Sequence, residues 1–412
     1  MNALRFNILA LLILSYCSLS TDGQVIPVGK RGERKWLRQS GHNGQLRDEL
    51  TSTTNSNWMQ PSAGLTNLMP FNASAQAQRV VVKCKKSMDQ DLCLQAIIES
   101  NTDHHVLQVI HKLNRVNSIV VKIQPSHMNE LTMLGFEIRQ DPVRRPLHIQ
   151  ESLRYNHRLL PNNNNGLGGA GHPSNKNTQQ IPYGIGMVRA MDSWAQFGVR
   201  GRGVKVCMVD SGIDASHEDF ASYQLNGNSA QSFLTPWSID AYGHGTHTSG
   251  TINAKNNTLG VVGVAPQADM YIVRVLDNQG NFYGSDLVAA AEACASAGAK
   301  IISMSLGGPS YDPNEAATFQ ALYNQGILAI AAGGNDGDTS YNYPASYDIV
   351  IGVAAVDSTK SHAYFSNAND KIDFAAPGEC EIVSKCRYSQ LAEILTRSGN
   401  PGLETSSRCR CL

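Results

Sequence analysis

The second half of the chain contains five continuous apolar runs of strand length, separated by segments with helical periodicity. The runs cover residues 204–209, 270–275, 301–306, 327–332 and 349–353. The clearest helical segments between them are 285–297 and 314–324. Continuous apolar strands that alternate with helices are typical of a parallel sheet covered on both faces. This region is therefore predicted to be α/β, with a doubly wound and mostly parallel sheet.

An earlier region, residues 79–150, has a different pattern. A short strand is predicted at 80–82, followed by a helical pattern from Leu92 that continues through Val106 to Leu113. A strand at 118–123, a helix at 128–134 and a closing strand at 135–141 come next. This order predicts a small α+β domain of ferredoxin-like type.

The remaining segments predict a leader, a low-complexity segment and a linker. Residues 1–20 have a basic start, an apolar core and small residues near a cleavage point, which indicates a secretory signal peptide. The apolar run is shorter than the roughly 20 residues that a membrane anchor needs. Residues 21–78 are polar without a sustained period, and residues 151–178 contain a Gly/Asn tract typical of a flexible, cleavable linker. Residues 179–412 form the last predicted domain.

Composition narrows the range of partners. The chain has 412 residues with 34 basic and 34 acidic side chains, so no net field favours nucleic acid or an acidic membrane surface. Neither is expected as a partner. A secreted monomer is expected instead.

The cysteines are expected to meet an oxidising compartment. Of the nine, one lies in the predicted leader and eight follow it. Two pairs are close enough in sequence to bond, Cys84 with Cys93 and Cys380 with Cys386. Cys207 and Cys294 lie in apolar surroundings and are predicted to be buried thiols.

Three polar residues stand at the ends of apolar runs. Asp210 closes the first run, His244 lies between two glycines before a helical segment, and Asn335 follows Ala-Ala-Gly-Gly. Each alone is more often structural, as a helix cap or a packed histidine. An acid, a base and an amide together are what a serine hydrolase uses to orient the imidazole, to take the proton and to stabilise the oxyanion.

Four motifs occur in one order: Asp-Ser-Gly-Ile-Asp at 210–214, His-Gly-Thr-His-Thr-Ser-Gly at 244–250, Met-Ser-Leu-Gly-Gly at 304–308 and Ala-Ala-Gly-Gly-Asn at 331–335. Together they resemble the subtilisin-like serine proteases, and the resemblance covers residues 179–384. It implies that Asp210 is the orienting acid, that His244 is the general base and that Asn335 donates to the oxyanion.

The resemblance also implies a substrate cleft for polypeptides in extended conformation. The edge strand that would pair with them is Ser305, Leu306 and Gly307. Gly333 and Gly334 would form the wall of the primary specificity pocket. Asp336 at its rim is interpreted as a group that favours basic side chains.

A structural Ca²⁺ site and an inhibitory propeptide are further implications of the resemblance. The residues that match the calcium loop are Gln179, Asp219, Asn257 and the backbone of Lys255, Leu259 and Val261, all oxygen donors. A plain surface loop is the alternative there. Residues 79–150 resemble the propeptide, which would be an intramolecular partner that blocks the cleft with its tail around 141–146. Maturation would then cut between about 146 and 179.

The nucleophile is the departure from the family pattern. The sequence contains no Gly-Thr-Ser-Met motif, and residues 385–412 diverge. Ser398 lies near the expected distance, but it lacks the preceding Gly-Thr, and Gly399 and Pro401 make a poor first helical turn.

Three interpretations therefore stay open. The first is a secreted serine endopeptidase of this family whose present chain is inactive, truncated or divergent before the serine. The second is a non-catalytic secreted binding or inhibitor module that acts on related proteases. The third is another α/β enzyme, such as a nucleotide-binding one. It is the weakest, because no Gly-x-Gly-x-x-Gly or Walker loop follows a strand.

Overall fold

The computed structural model describes residues 77–100, 108–147, 179–220, 224–230, 236–277 and 280–378. Several predictions lie outside these ranges: the signal peptide at 1–20, nearly all of the low-complexity segment at 21–78, the linker at 151–178, the pairing of Cys380 with Cys386, Ser398 and the tail at 385–412.

The first unit is a four-stranded sheet with two helices. Its elements are β1 (Gln78–Lys83), α1 (Gln90–Glu99), β2 (Gln108–Leu113), β3 (Ser118–Ile123), α2 (Pro125–Met133) and β4 (Glu137–Gln140). The strand order is β2-β3-β1-β4, with every pair antiparallel. A disulfide joins Cys84 to Cys93, as the sequence predicted. Its core includes Val80, Ile97 and Leu131.

The predicted continuation of the first helix into residues 106–113 is wrong over its described part. The helix ends at Glu99, and Gln108–Leu113 forms β2, which pairs with β3. A short apolar run does not distinguish strand from helix by its period alone. Here the neighbouring strand decides, because it supplies partners for the backbone N–H and C=O groups.

The second unit contains a seven-stranded parallel sheet. Its strands are β6 (Lys205–Asp210), β7 (Asn226–Ser229), β8 (Asp269–Arg274), β10 (Ile301–Met304), β12 (Leu328–Ala332), β13 (Ile351–Val356) and β14 (Ile372–Pro377). They lie in the order β14-β13-β12-β10-β6-β8-β7. Its helices are α3 (Tyr183–Met187), α4 (Ala190–Phe197), α5 (His244–Asn253), α6 (Gly284–Ser296) and α7 (Pro313–Asn324). The prediction of a doubly wound, mostly parallel sheet is confirmed.

Both faces of this sheet are buried. Val209 belongs to the apolar cluster on one face, together with residues of α6 and α7. Its neighbour Met208 belongs to the opposite cluster, together with Ile252 of α5. Successive side chains of a strand point to opposite faces, so a strand covered on both sides reads as a continuous apolar run.

Cys207 and Cys294 are not separate buried thiols. They form a disulfide that joins β6 to α6 across 87 residues of chain. Their apolar surroundings are as predicted, since both residues are fully buried. The packing of α6 over β6 brings the two cysteines together, whereas their distance along the sequence gave no sign of a bond.

A third, three-stranded sheet joins the two units. Its strands are β5 (Val143–Pro146), β9 (Phe282–Tyr283) and β11 (Leu306–Gly307), in the order β11-β5-β9. The strand from the first unit is therefore the central one. Within the described ranges, helices are too short or too polar to cross a bilayer.

Polar contacts fix the first unit on the start of α6. Arg79 forms ion pairs of 2.7 Å with both Asp141 and Asp286, and Asp286 also lies 2.7 Å from His111 Nε2. The N–H of Ser285 donates to Asp141 Oδ1 over 3.0 Å. These contacts hold the chain just before β5 against the second unit.

Candidate active site

Asp210 is the last residue of β6, and its carboxylate is buried with three donors around it. Oδ1 lies 2.6 Å from His244 Nδ1 and accepts from the Ser211 N–H over 2.7 Å. Oδ2 accepts from the Thr248 hydroxyl over 3.2 Å. A carboxylate with all these partners has one orientation, and it presents an acceptor to the imidazole.

His244 is the first residue of α5. The preceding Gly243 has φ 87°, a left-handed conformation that glycine adopts without strain, and this turn delivers the histidine to the end of β6. Because Asp210 accepts at Nδ1, the neutral ring carries its proton there and Nε2 is the acceptor nitrogen. This is the tautomer that a general base needs.

Asp240 connects the two loops that carry this pair, although no motif in the sequence predicts it. Its Oδ1 accepts from the Ser211 hydroxyl and from the Gly243 N–H, each over 2.8 Å. Its Oδ2 accepts from the N–H and the hydroxyl of Thr246. No spacing rule relates a loop acid to both motifs, so only the folded loops show its role.

Asn335 follows β12, and its side chain contacts the tail of the first unit. Nδ2 donates to the carbonyl oxygen of Leu147 over 3.0 Å. On the other side of the same residue, the Leu147 N–H donates to the Ser305 carbonyl over 3.1 Å. The predicted oxyanion donor therefore binds a peptide carbonyl that belongs to the chain itself.

The strand β5 lies in the cleft as an extended peptide. Leu306 pairs with Pro146 and Gly307 with Arg145 on one side. Tyr283 pairs with Val143 on the other. A Cβ on Gly307 would lie 2.7 Å from the Tyr343 carbonyl oxygen, which explains the glycine at this close approach.

Gly333 and Gly334 line a cavity of about 160 Å³ that Leu147 also lines. Gly334 has φ 123°, which an L side chain rarely adopts. Asp336 Oδ2 accepts from the Asn367 side chain over 3.0 Å. The acid that contacts a basic side chain of the tail is a different one, Glu315.

Glu315 lies in the first turn of α7 and is fully buried. Its Oε1 lies 2.9 Å from Nη2 of Arg144, which is equally buried. Burial raises the pKa of Glu315 to about 7, although the positive charge of Arg144 acts in the opposite direction. No sequence motif points to Glu315, because 171 residues separate the two partners.

The residues of the predicted calcium loop converge on one atom, Gln179 Nε2. Its distances are 2.5 Å to the carbonyl oxygen of Lys255, 2.8 Å to that of Val261, 3.1 Å to that of Leu259 and 3.3 Å to Asn257 Oδ1. Asp219 lies beside them and accepts from the Val261 N–H over 3.1 Å. The amide nitrogen of Gln179 has only two protons, too few for the four oxygen atoms around it. If the side-chain amide is flipped, the Gln179 oxygen takes the place of the nitrogen and the site is lined by oxygen atoms alone. The donor set therefore fits a hard cation.

Comparison with known proteins decides the family. Residues 201–407 match the model of the Subtilase family of peptidases (Peptidase_S8). The chain belongs to the subtilase family. It is 40% identical over 204 residues to subtilisin DY of Bacillus licheniformis. The aligned region covers 48% of this chain and 73% of that protein. It is 39% identical over 215 residues to subtilisin E of Bacillus subtilis (strain 168), with coverages of 50% and 55%.

Among solved structures, the chain is similar to the psychrophilic subtilisin-like protease Apa1 from the Antarctic psychrotroph Pseudoalteromonas sp. AS-11. The identity is 41%, the coverage is 50% of this chain and 47% of that one, and the TM-score is 0.46. The family match and the relatives at about 40% identity confirm the resemblance to subtilisin-like proteases, a family of serine endopeptidases.

Proposed function

We propose that this chain carries the catalytic cleft of a secreted subtilisin-type endopeptidase, which acts on polypeptides in extended conformation. One observation carries the proposal. The carbonyl of Leu147 lies on the predicted oxyanion donor, at the end of a strand paired on both edges. An extended peptide so held presents its carbonyl as a substrate would.

The roles follow from the geometry of the acid and the base. Asp210 holds the Nδ1 proton of His244, so that Nε2 can take the proton of a serine hydroxyl and later deliver it to the leaving amine. Asn335 Nδ2 donates to the oxygen that becomes negative when the carbonyl is attacked. Leu306 and Gly307 hold the peptide in register.

We further propose that this chain does not itself hydrolyse peptide bonds, because its sequence has no Gly-Thr-Ser-Met motif. Full-length protein treated with a fluorophosphonate probe should carry no adduct on any serine by peptide mass spectrometry. A serine adduct that is lost in His244→Ala would overturn this part and would identify the nucleophile.

The segment 79–150 is proposed to act as the propeptide of the same chain, with the bond between Leu147 and His148 as the maturation site. After removal of a leader at 1–20, the protein would be a monomer outside the cell. Hydrogen exchange of the secreted protein tests the cleft contact. The amides of residues 143–145 and 147 should be protected, and exchange as fast as in an isolated peptide would contradict the cleft contact.

A non-catalytic inhibitor is the second candidate, and the same tail favours it. The first unit has its own apolar core and its own disulfide, so it could present β5 to the cleft of a related protease. Titration of the full chain against an active subtilisin-type protease distinguishes the two. Stoichiometric inhibition below micromolar concentration would favour the inhibitor, and none at that concentration would exclude it.

We also propose that Gln179, Asp219, Asn257 and the carbonyls of Lys255, Leu259 and Val261 bind Ca²⁺ as a structural ion. The ion would neutralise Asp219 and fix the loop. Because an ion that binds only the folded state stabilises it, added Ca²⁺ should raise the melting temperature and a chelator should lower it. Asp219→Asn should abolish the response, whereas Asp214→Asn should preserve it. An unchanged melting temperature in the unmodified protein would contradict the site.

A further inference from the structure

Arg144 is the buried side chain of the strand that occupies the cleft. Val143 and Arg145 on either side of it are exposed, as the alternation of a strand requires. Arg144 itself is completely buried against the second unit. A buried arginine in a peptide-like strand requires a specific partner, because an unpaired buried charge is costly.

That partner is Glu315, and it belongs to the second unit. Arg144 Nε donates to Oε1 over 3.0 Å, and Nη2 lies 2.9 Å from the same oxygen. The other oxygen, Oε2, accepts from the Tyr347 hydroxyl over 2.8 Å. Glu315 is therefore held in one orientation with one oxygen directed at the cleft.

A second acid nearby has other partners. Asp312 caps α7 by accepting from the N–H groups of Asn314 and Glu315. Its other oxygen lies 3.5 Å from Arg139, outside the strand in the cleft. Glu315 is thus the acid that meets the strand.

Two glycines shape the space around the guanidinium. A Cβ on Gly308 would lie 3.2 Å from Arg144 Cδ and 3.3 Å from its Nη1. A Cβ on Gly284 would lie 2.7 Å from Glu315 Oε1. Any larger residue at 284 would press on the carboxylate, and one at 308 would narrow the channel for the arginine stem.

We propose that Glu315 is the specificity-determining residue of a peptide subsite that selects arginine three residues before the residue whose carbonyl Asn335 holds. The preferred substrates are extended polypeptides with the order Arg, three further residues and then the bond that follows the carbonyl held by Asn335. This proposal rests on the proposed function, since it assumes that β5 occupies the cleft as a substrate does.

Arginine is selected because other side chains in this subsite would leave Glu315 unpaired or incompletely paired. An apolar residue in this subsite would bury Glu315 without a counter-charge, whereas a lysine would place a single ammonium where a guanidinium can use several N–H groups. Discrimination of this kind comes from the unpaired group as much as from the matched pair.

Hydrogen exchange on the full-length protein compares Arg144→Met with Arg145→Met. Both variants keep an unbranched side chain and remove one charge from adjacent positions of the same strand. Arg144→Met should speed exchange of the amides of residues 143–145 and 147 at least about tenfold, which corresponds to about 1.4 kcal/mol. Arg145→Met should stay within about twofold of the unmodified protein. Equal rates in the two variants would overturn the proposal.

Two further measurements separate this result from misfolding and from a failure of the proposed function. Amides of β6 should stay protected in every variant, which reports that the second unit is folded. If β5 is unprotected in the unmodified protein, the proposed function fails. If it is protected and both variants leave it so, only the arginine subsite fails.

Peptides added in trans test the substrate class directly. The Arg144→Met protein, whose own tail binds weakly, is titrated with Val-Arg-Arg-Pro-Leu, Val-Met-Arg-Pro-Leu and Val-Arg-Met-Pro-Leu. The first and third should bind at least about tenfold more tightly than the second. The preference should vanish in Arg144→Met combined with Glu315→Gln. A preference that persists without the carboxylate would contradict the role of Glu315.

Discussion

Two buried polar pairs, Asp210 with His244 and Arg144 with Glu315, differ in which units supply their members. The first lies within the second unit, between the end of β6 and the start of α5, 34 residues apart in sequence. The second joins the two units across 171 residues. Removal of the first unit would leave the first pair intact and would leave Glu315 without its cation.

That difference separates a permanent pair from an exchangeable one. Asp210 accepts from Ser211 and Thr248 as well as from the imidazole, so its orientation does not depend on any occupant of the cleft. Glu315 has the Tyr347 hydroxyl and Arg144 of the strand that lies in the cleft, so its charge partner comes from the first unit. The first arrangement suits chemistry that recurs with every substrate, and the second suits recognition.

The largest expected effect is the loss of the permanent pair. Asp210→Ala removes the acceptor of three buried donors, and it should lower the free energy of unfolding by about 4 kcal/mol. Urea denaturation measures this change. The exposed Glu218→Ala should change it by less than about 0.5 kcal/mol. Equal effects would mean that the buried network contributes nothing to stability.

The pair of Arg144 and Glu315 should make the free energy of unfolding depend on pH. Because burial raises the folded-state pKa of Glu315 from 4.5 to about 7, the folded protein holds a proton between these values that the unfolded chain has lost. The contribution of Glu315 is therefore fully present below pH 4.5 and falls as the pH rises to 7, by on the order of 3 kcal/mol. The charged groups that face it are Arg144 and Asp312.

Urea denaturation across this pH range compares the unmodified protein with Glu315→Gln. The variant should gain stability relative to the unmodified protein as the pH rises from 4.5 to 7. Glu218→Gln, an exposed control, should show a constant difference. A pH-independent difference for Glu315→Gln would mean that burial does not shift this carboxyl group.

Tyr347→Phe should lower the free energy of unfolding, because the Tyr347 hydroxyl donates to Glu315. It removes the hydroxyl that lies 2.8 Å from Oε2, a hydrogen bond to a buried acid, at a cost of about 2 kcal/mol above pH 7. The effect should shrink at pH 5, where a protonated carboxyl needs the donor less. Tyr311→Phe is the control, because Tyr311 is exposed and packs against the ring of Tyr347.

Thr248→Val should have the smallest effect on the free energy of unfolding. It replaces a hydroxyl 3.2 Å from Asp210 Oδ2 with a methyl group of similar size, at about 1 kcal/mol. Its hydroxyl also lies 3.1 Å from the His244 carbonyl within the helix, so part of the bonding is local. Thr251→Val, exposed on the same helix, should be neutral. A loss above 3 kcal/mol would show that Asp210 depends on Thr248 far more than its distances indicate.

Much of the fold could be read from local pattern. The five apolar runs correspond to strands of the parallel sheet, with boundaries displaced by up to three residues, because a strand buried on both faces must be apolar throughout. The prediction was wrong for the second half of the first helix, because residues 108–113 form backbone hydrogen bonds with β3 as a strand.

The sequence by itself determined the motif residues and the fold class. Asp210 and His244 are each placed by local signals, a strand end and a glycine before a helix, and in the fold the helix begins beside the end of that strand. Only the tertiary structure decided the Cys207–Cys294 disulfide, the role of Asp240 and the pairing of Arg144 with Glu315. These contacts join residues whose separation carries no periodic signal, and they form only when helices and units pack on the sheet.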